Sequence, residues 1–202
     1  MDALQPGVPA DARRDRRRRD RRGPVGAGEL RLPGAADEVE LFLDGASLGT
    51  APVGRKHRFR AAFEVIYAPG ELTAVARAGG AETGRFSLRS ATGPVRLAAR
   101  ADRTEVGADD DLAYVTVTLE DAAGTVVTGT DREVTVRVDG PAVLAGFGSA
   151  APATEESFLD DVHTTFDGRA LAAVRPTGAG TITVTASAPD CQDVTLVIEA
   201  RP

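Results

Sequence analysis

From Glu38 to Ile198 the chain is a series of short runs in which apolar and polar side chains take turns. In residues 112–119, Tyr114, Thr116 and Thr118 alternate with Val115, Val117 and Leu119; residues 133–138 and 181–185 repeat the pattern. Alternation with period two puts one set of side chains on each face of an extended strand, whereas a helix needs a period near 3.6. Each run is also too short to make a helix of ordinary length. A strand with one apolar face cannot bury it alone, so such a chain must stack strands into paired sheets. The fold class predicted is all-β.

The punctuation agrees. The 22 Gly and 12 Pro fall between the runs, as in Asp44-Gly45, Pro69-Gly70 and Gly124. Asp-Gly tolerates the positive φ of a tight hairpin, and Pro-Gly presets one turn position and frees the next. Hydrophobic content of 42% is enough for a core, but aromatics are only 4% and Trp is absent. Val, Leu, Ala and Ile must therefore fill it. At 202 residues there is room for one or two domains.

The net charge of −6 conceals a split. Residues 1–30 hold eight Arg against five acids, whereas the remainder holds sixteen Lys or Arg against twenty-five acids. An acidic body lacks the basic face that phosphates require, so no nucleic-acid partner is expected. The run Arg13-Arg-Asp-Arg-Arg-Arg-Arg-Asp-Arg-Arg22 buries too little apolar surface to order itself, and residues 1–34 are read as a disordered Arg-rich segment. No apolar stretch follows it, which removes the signal-peptide reading. No apolar run approaches the ~20 residues of a membrane span. The location of the protein is left open.

Glu155-Glu156 and residues 109–111 (three Asp) are carboxylate clusters, but neighbours in a loop do not face each other across a substrate. The acidic triplet lacks the spaced ligands of a calcium loop. His57, His163 and Cys191 lack zinc-ligand spacing. Neither a Ser-His-Asp arrangement nor a phosphate-cradling Gly loop is present. No catalytic, cofactor-binding or metal residue is assigned, and no cofactor is expected. Tyr67, Phe147 and Phe158 are the candidates for a surface contact: Tyr67 precedes a Pro-Gly turn, and the two Phe lie in the long segment between Val143 and Phe166.

Four phrases carry a resemblance: Glu38-Val-Glu-Leu-Phe-Leu-Asp-Gly45, Tyr67-Ala-Pro-Gly-Glu-Leu72, Asp111-Leu-Ala-Tyr-Val-Thr-Val117 and Phe166-Asp-Gly-Arg-Ala-Leu171. Together they resemble the carboxy-terminal β-sandwich tail of bacterial glycoside hydrolase family 2 enzymes of the β-galactosidase type. Residues 93–202 also resemble bacterial immunoglobulin-like domains of the invasin and intimin kind. Asp44, Phe63 and Ile66 stand where the family more often has Asn, Trp and Pro. The resemblance begins abruptly near Ala35, partway through the first sandwich.

It implies two tandem immunoglobulin-like sandwiches: a small one at 35–92, lacking a strand before Ala35, and a second at 93–202. An incomplete sandwich leaves an edge and part of its core open to pairing with another chain. The catalytic carboxylates of the family sit on a barrel of roughly 250 residues, for which this chain has no room. It reads as the non-catalytic accessory end of a family 2 glycosidase, present as a fragment. Its partner would be the parent's catalytic barrel, with carbohydrate as a further possibility. The rival readings are a stand-alone surface adhesion or spacer module and a carbohydrate-binding module.

Overall fold

The computed structural model describes residues 36–202; the Arg-rich segment lies outside the described residues. The chain forms two compact units that meet between Arg89 and Ser90. Strands account for the regular structure, with one 3-10 turn at Arg55–His57 and no α-helix among the described residues. Among the described residues no helix is long and apolar enough to cross a membrane.

The first unit is a four-stranded antiparallel sheet of β1 (Glu38–Leu43), β2 (Ala46–Pro52), β3 (Glu71–Ala78) and β4 (Ala81–Arg89), in the order β2-β1-β3-β4. Asp44 and Gly45, both at positive φ, make the β1–β2 hairpin, as the Asp-Gly signal predicted. Asp44 also ties the hairpin to β3: its carboxylate accepts from the Glu71 N–H at 2.7 Å, and its own N–H donates to the Glu71 carbonyl at 2.9 Å. A side chain at Gly70 would run into that carboxylate.

Alternation in β1 and β3 puts Val39, Leu41, Ala74 and Ala76 on one face, where they form a small core. The second layer over this core is thin. Ala61, Phe63 and Val65 pack onto it, alternating with exposed Ala62, Glu64 and Ile66. Residues 61–66 have the strand's side-chain period, but none of them joins a ladder among the described residues. The apolar positions dock the segment; no neighbouring strand fixes its backbone.

The second unit is a sandwich. One sheet has β5 (Arg96–Ala101), β7 (Ala113–Glu120), β11 (Arg169–Pro176) and β9 (Ala142–Gly148) side by side. The other runs β10 (Val162–Thr164), β8 (Glu133–Asp139), β12 (Gly180–Ser187), β13 (Val194–Arg201) and β6 (Glu105–Gly107), with β6 parallel to β13. Their inner faces meet in one core that includes Leu97, Val115, Val117, Leu119, Val134, Val136, Phe147, Val174, Ile182, Val184 and Ile198. These are the alternate residues of the runs read from sequence. This unit has nine strands, including the short β10 within the long segment between Val143 and Phe166.

Candidate functional site

The structure separates the three expected contact residues. Tyr67 is 62% exposed, directly after residues 61–66 of the first unit. Phe158 is 53% exposed, in the loop between β9 and β10. Phe147 requires a correction: it is 1% exposed and belongs to the core. It stands opposite Ala172 in the β9–β11 ladder, on the face turned to the other sheet, so its ring has no surface to offer.

Phe158 belongs to a polar cluster of the second unit with His163, Glu156 and Thr164. Its backbone carbonyl accepts from the Phe147 N–H at 2.9 Å, which lays the loop along β9. Its ring stacks on the imidazole of His163, with centroids 5.4 Å apart and planes 22° apart. Phe147 meets the same imidazole edge-on at 6.1 Å. His163 is fully buried, because β10 pairs with β8 and sets it opposite core residue Val134.

The Nδ1 atom of His163 lies 3.0 Å from the Thr164 carbonyl and 3.4 Å from the Glu156 carboxylate. Glu156 accepts from the Thr164 N–H at 3.0 Å and hydroxyl at 2.7 Å, and from its own loop through the Thr154 hydroxyl at 3.2 Å. Burial pushes this carboxyl up, but the Thr164 bonds, His163 and Thr154 outweigh it and hold the group below the usual glutamate range. The arrangement is that of a clamp: a carboxylate and a ring pin the 149–161 loop to the edge of the sandwich. Reading the sequence missed it, since His163 sits in an unremarkable polar run and its cover comes from Phe158, outside its own strand.

The other titratable groups are tied into the fabric. Asp111 accepts from the N–H groups of Gly107 (3.0 Å) and Leu112 (2.8 Å), which lower its pKa and make it a turn residue. Glu120 is buried and receives Arg100 through both oxygens and the Thr118 hydroxyl at 2.8 Å; Arg100 is the main reason its pKa is lowered. Asp121 accepts from the N–H groups of Thr92, Thr125 and Ala123, each at 2.9 Å, which lower its pKa in that order. Cys191 is half-buried with its sulfur 3.9 Å from the Val95 carbonyl. Among the described residues, no three His, Cys, Asp or Glu side chains are grouped to hold a metal ion.

These features define a class: β-sandwich units whose acidic groups cap turns and brace strands. The particular family follows from comparison. Residues 97–197 match the family model described as glycoside hydrolase family 2 C-terminal domain 5, and the chain belongs to that family. Residues 33–84 match a second, described as a domain of unknown function (DUF4982). The β-galactosidase BoGH2A of Bacteroides ovatus is 31% identical over 170 residues, covering 82% of this chain and 20% of that protein. A family 2 glycosyl hydrolase from Bacteroides cellulosilyticus superposes with a TM-score of 0.79 at 34% identity, over 83% of this chain and 22% of that one. A β-glycosidase from Bacteroides vulgatus shares the fold with a TM-score of 0.71 at 23% identity, over 82% of this chain and 21% of that one. The chain spans about a fifth of the length of these relatives. It corresponds to a non-catalytic, carboxy-terminal portion of family 2 glycosidases.

Proposed function

We propose that residues 35–92 and 93–202 are two accessory domains of a β-galactosidase-like glycosidase, the second an immunoglobulin-like domain of the invasin and intimin type. The partner of both is the catalytic barrel, which supplies the pair of carboxylates for glycoside hydrolysis; the accessory domains brace it. The match of residues 97–197 to a carboxy-terminal domain of family 2 carries this reading. The test is to sequence about two kilobases of DNA upstream and read all three forward frames. A frame encoding a barrel that runs into the region of Ala35 supports the proposal. A promoter and a clean start with no barrel would instead make the chain a free-standing sandwich protein.

A second reading, a carbohydrate contact, is favoured by the Phe158 ring. His163 covers one of its faces, and half of the side chain stays exposed. An aromatic face held rigidly at a surface is the usual platform for a sugar ring. Retardation of the chain in gels cast with galactans, abolished by Phe158→Ala, is the expected result. Equal migration with and without polymer would reject it.

A further inference from the structure

The thin layer of the first unit has the features of a site for an added strand. Burial alternates along residues 61–66 as it does in a strand, and the inward side chains Ala61, Phe63 and Val65 sit on the sheet. Among the described residues their backbone N–H and C=O groups meet no ladder partner on either side. A row of unpaired groups on an extended segment is a template for another strand. The floor beside it is apolar: Phe86 and Leu88 of β4 stand opposite Ala74 and Leu72 on the core face of the sheet, yet 46% and 52% of their surfaces are exposed.

Charge adds a second, independent indication. Arg55, Lys56, His57, Arg58 and Arg60 lie exposed where the segment begins, with no ion pair to any described residue. This basic turn sits in a body that is otherwise acidic. Further along the segment Glu64 is exposed. A complementary strand is therefore acidic where it meets Arg60 and basic where it meets Glu64.

The occupant must be a single extended segment. Two copies pairing through residues 61–66 would relate by a two-fold axis normal to the strands' sheet, which puts both four-stranded sheets on the same side. Neighbouring strands lie only ~4.8 Å apart, and β4 with Phe86 and Leu88 reaches past the segment, which packs on β1 and β3, so the β4 strands of two copies would have to share one space.

We propose that the first unit binds an extended peptide, apolar at alternate positions and acidic at the end facing Arg58 and Arg60, which pairs with residues 61–66 and covers Phe86 and Leu88. This does not depend on what a parent enzyme hydrolyses. Its backbone completes the ladder, its inward side chains extend the small core, and its carboxylates neutralise the basic turn.

The test uses the full chain and a fluorescein-labelled peptide, Thr-Leu-Lys-Val-Thr-Leu-Asp-Glu. Laid antiparallel, it sets Leu, Val and Leu inward, Lys against Glu64 and Asp-Glu against the basic turn. Saturable binding is expected by fluorescence anisotropy. It should weaken at least tenfold when Asp-Glu becomes Lys-Lys, when Arg60 is reversed (Arg60→Glu), and when Ala62→Pro removes a ladder N–H. Arg60 and Ala62 are both exposed, and circular dichroism checks that each variant folds. A scrambled peptide that binds as well would overturn the proposal, as would failure to saturate. So would sedimentation as a dimer that the peptide leaves intact, since a second copy would then hold the site.

Discussion

Phe86 stands directly across the β3–β4 ladder from Ala74, on the same face, yet Ala74 is 1% exposed and Phe86 46%. The two side chains mark where the second layer of the first unit ends. Over Ala74 lies the docked segment with Phe63; over Phe86 there is partial cover only. Replacing Phe86 by Lys should accordingly change stability by less than about 1 kcal/mol, as for a surface position. Ala74→Leu forces extra volume under a covered part of the core and should cost about 1–3 kcal/mol. Urea unfolding of the two variants against the parent distinguishes them. Equal losses would mean that the whole face is packed alike.

Phe147 tests the core of the second unit. It is among the largest side chains that are fully buried, and Phe147→Ala should cost about 3–5 kcal/mol. Chemical denaturation gives the value directly. A loss below about 1 kcal/mol would put the ring back at the surface.

Gly148 lies beneath the Phe158 ring, which occupies the space a Cβ there would take. Gly148→Ala should push Phe158 off His163, at a cost of about 1–3 kcal/mol. The readout is the pair of His163 ring-proton resonances, which lose the shielding of the stacked Phe ring. Unchanged shifts would show that the ring is held elsewhere.

The pH dependence follows from Glu120. Its pKa is lowered in the folded chain, chiefly by Arg100, so folding favours the ionised form. The stabilisation is complete above the unfolded glutamate pKa near 4.3 and is lost as pH falls through the lower folded value. Melting temperature should hold from pH 7 to about 5 and then fall. Glu120→Gln should melt lower at pH 7 and fall less steeply in acid. A slope unaffected by that change would remove Glu120 from the account.

Much of this was legible because strands write their own faces. Val115, Val117 and Leu119 were assigned inward by alternation alone, and all are buried. Phe63 and Val65 alternate equally well, yet they make no ladder, because a ladder needs a second strand that the local pattern does not encode. Phe147 misled: it was grouped with Phe158 in the long segment between Val143 and Phe166, while the pairing with Ala172 that turns it inward is made across the sheet. The clamp at Glu156, His163 and Phe158 was invisible for a similar reason. His163 is buried through β8 and a ring from the preceding loop, and neither is implied by the residues beside it. Arg100 stands opposite Thr116 in the β5–β7 ladder and reaches Glu120 along their shared face, a relation of strands rather than of neighbours.

The most direct measurement replaces the homologous carboxy-terminal fifth of the Bacteroides ovatus relative with residues 36–202 of this chain. Three proteins are compared: the intact relative, the relative cut short, and the chimera. If these units are accessory domains of family 2, the chimera recovers most of the melting temperature lost on truncation and keeps the intact enzyme's kcat. A chimera no more stable than the truncated enzyme would contradict the account.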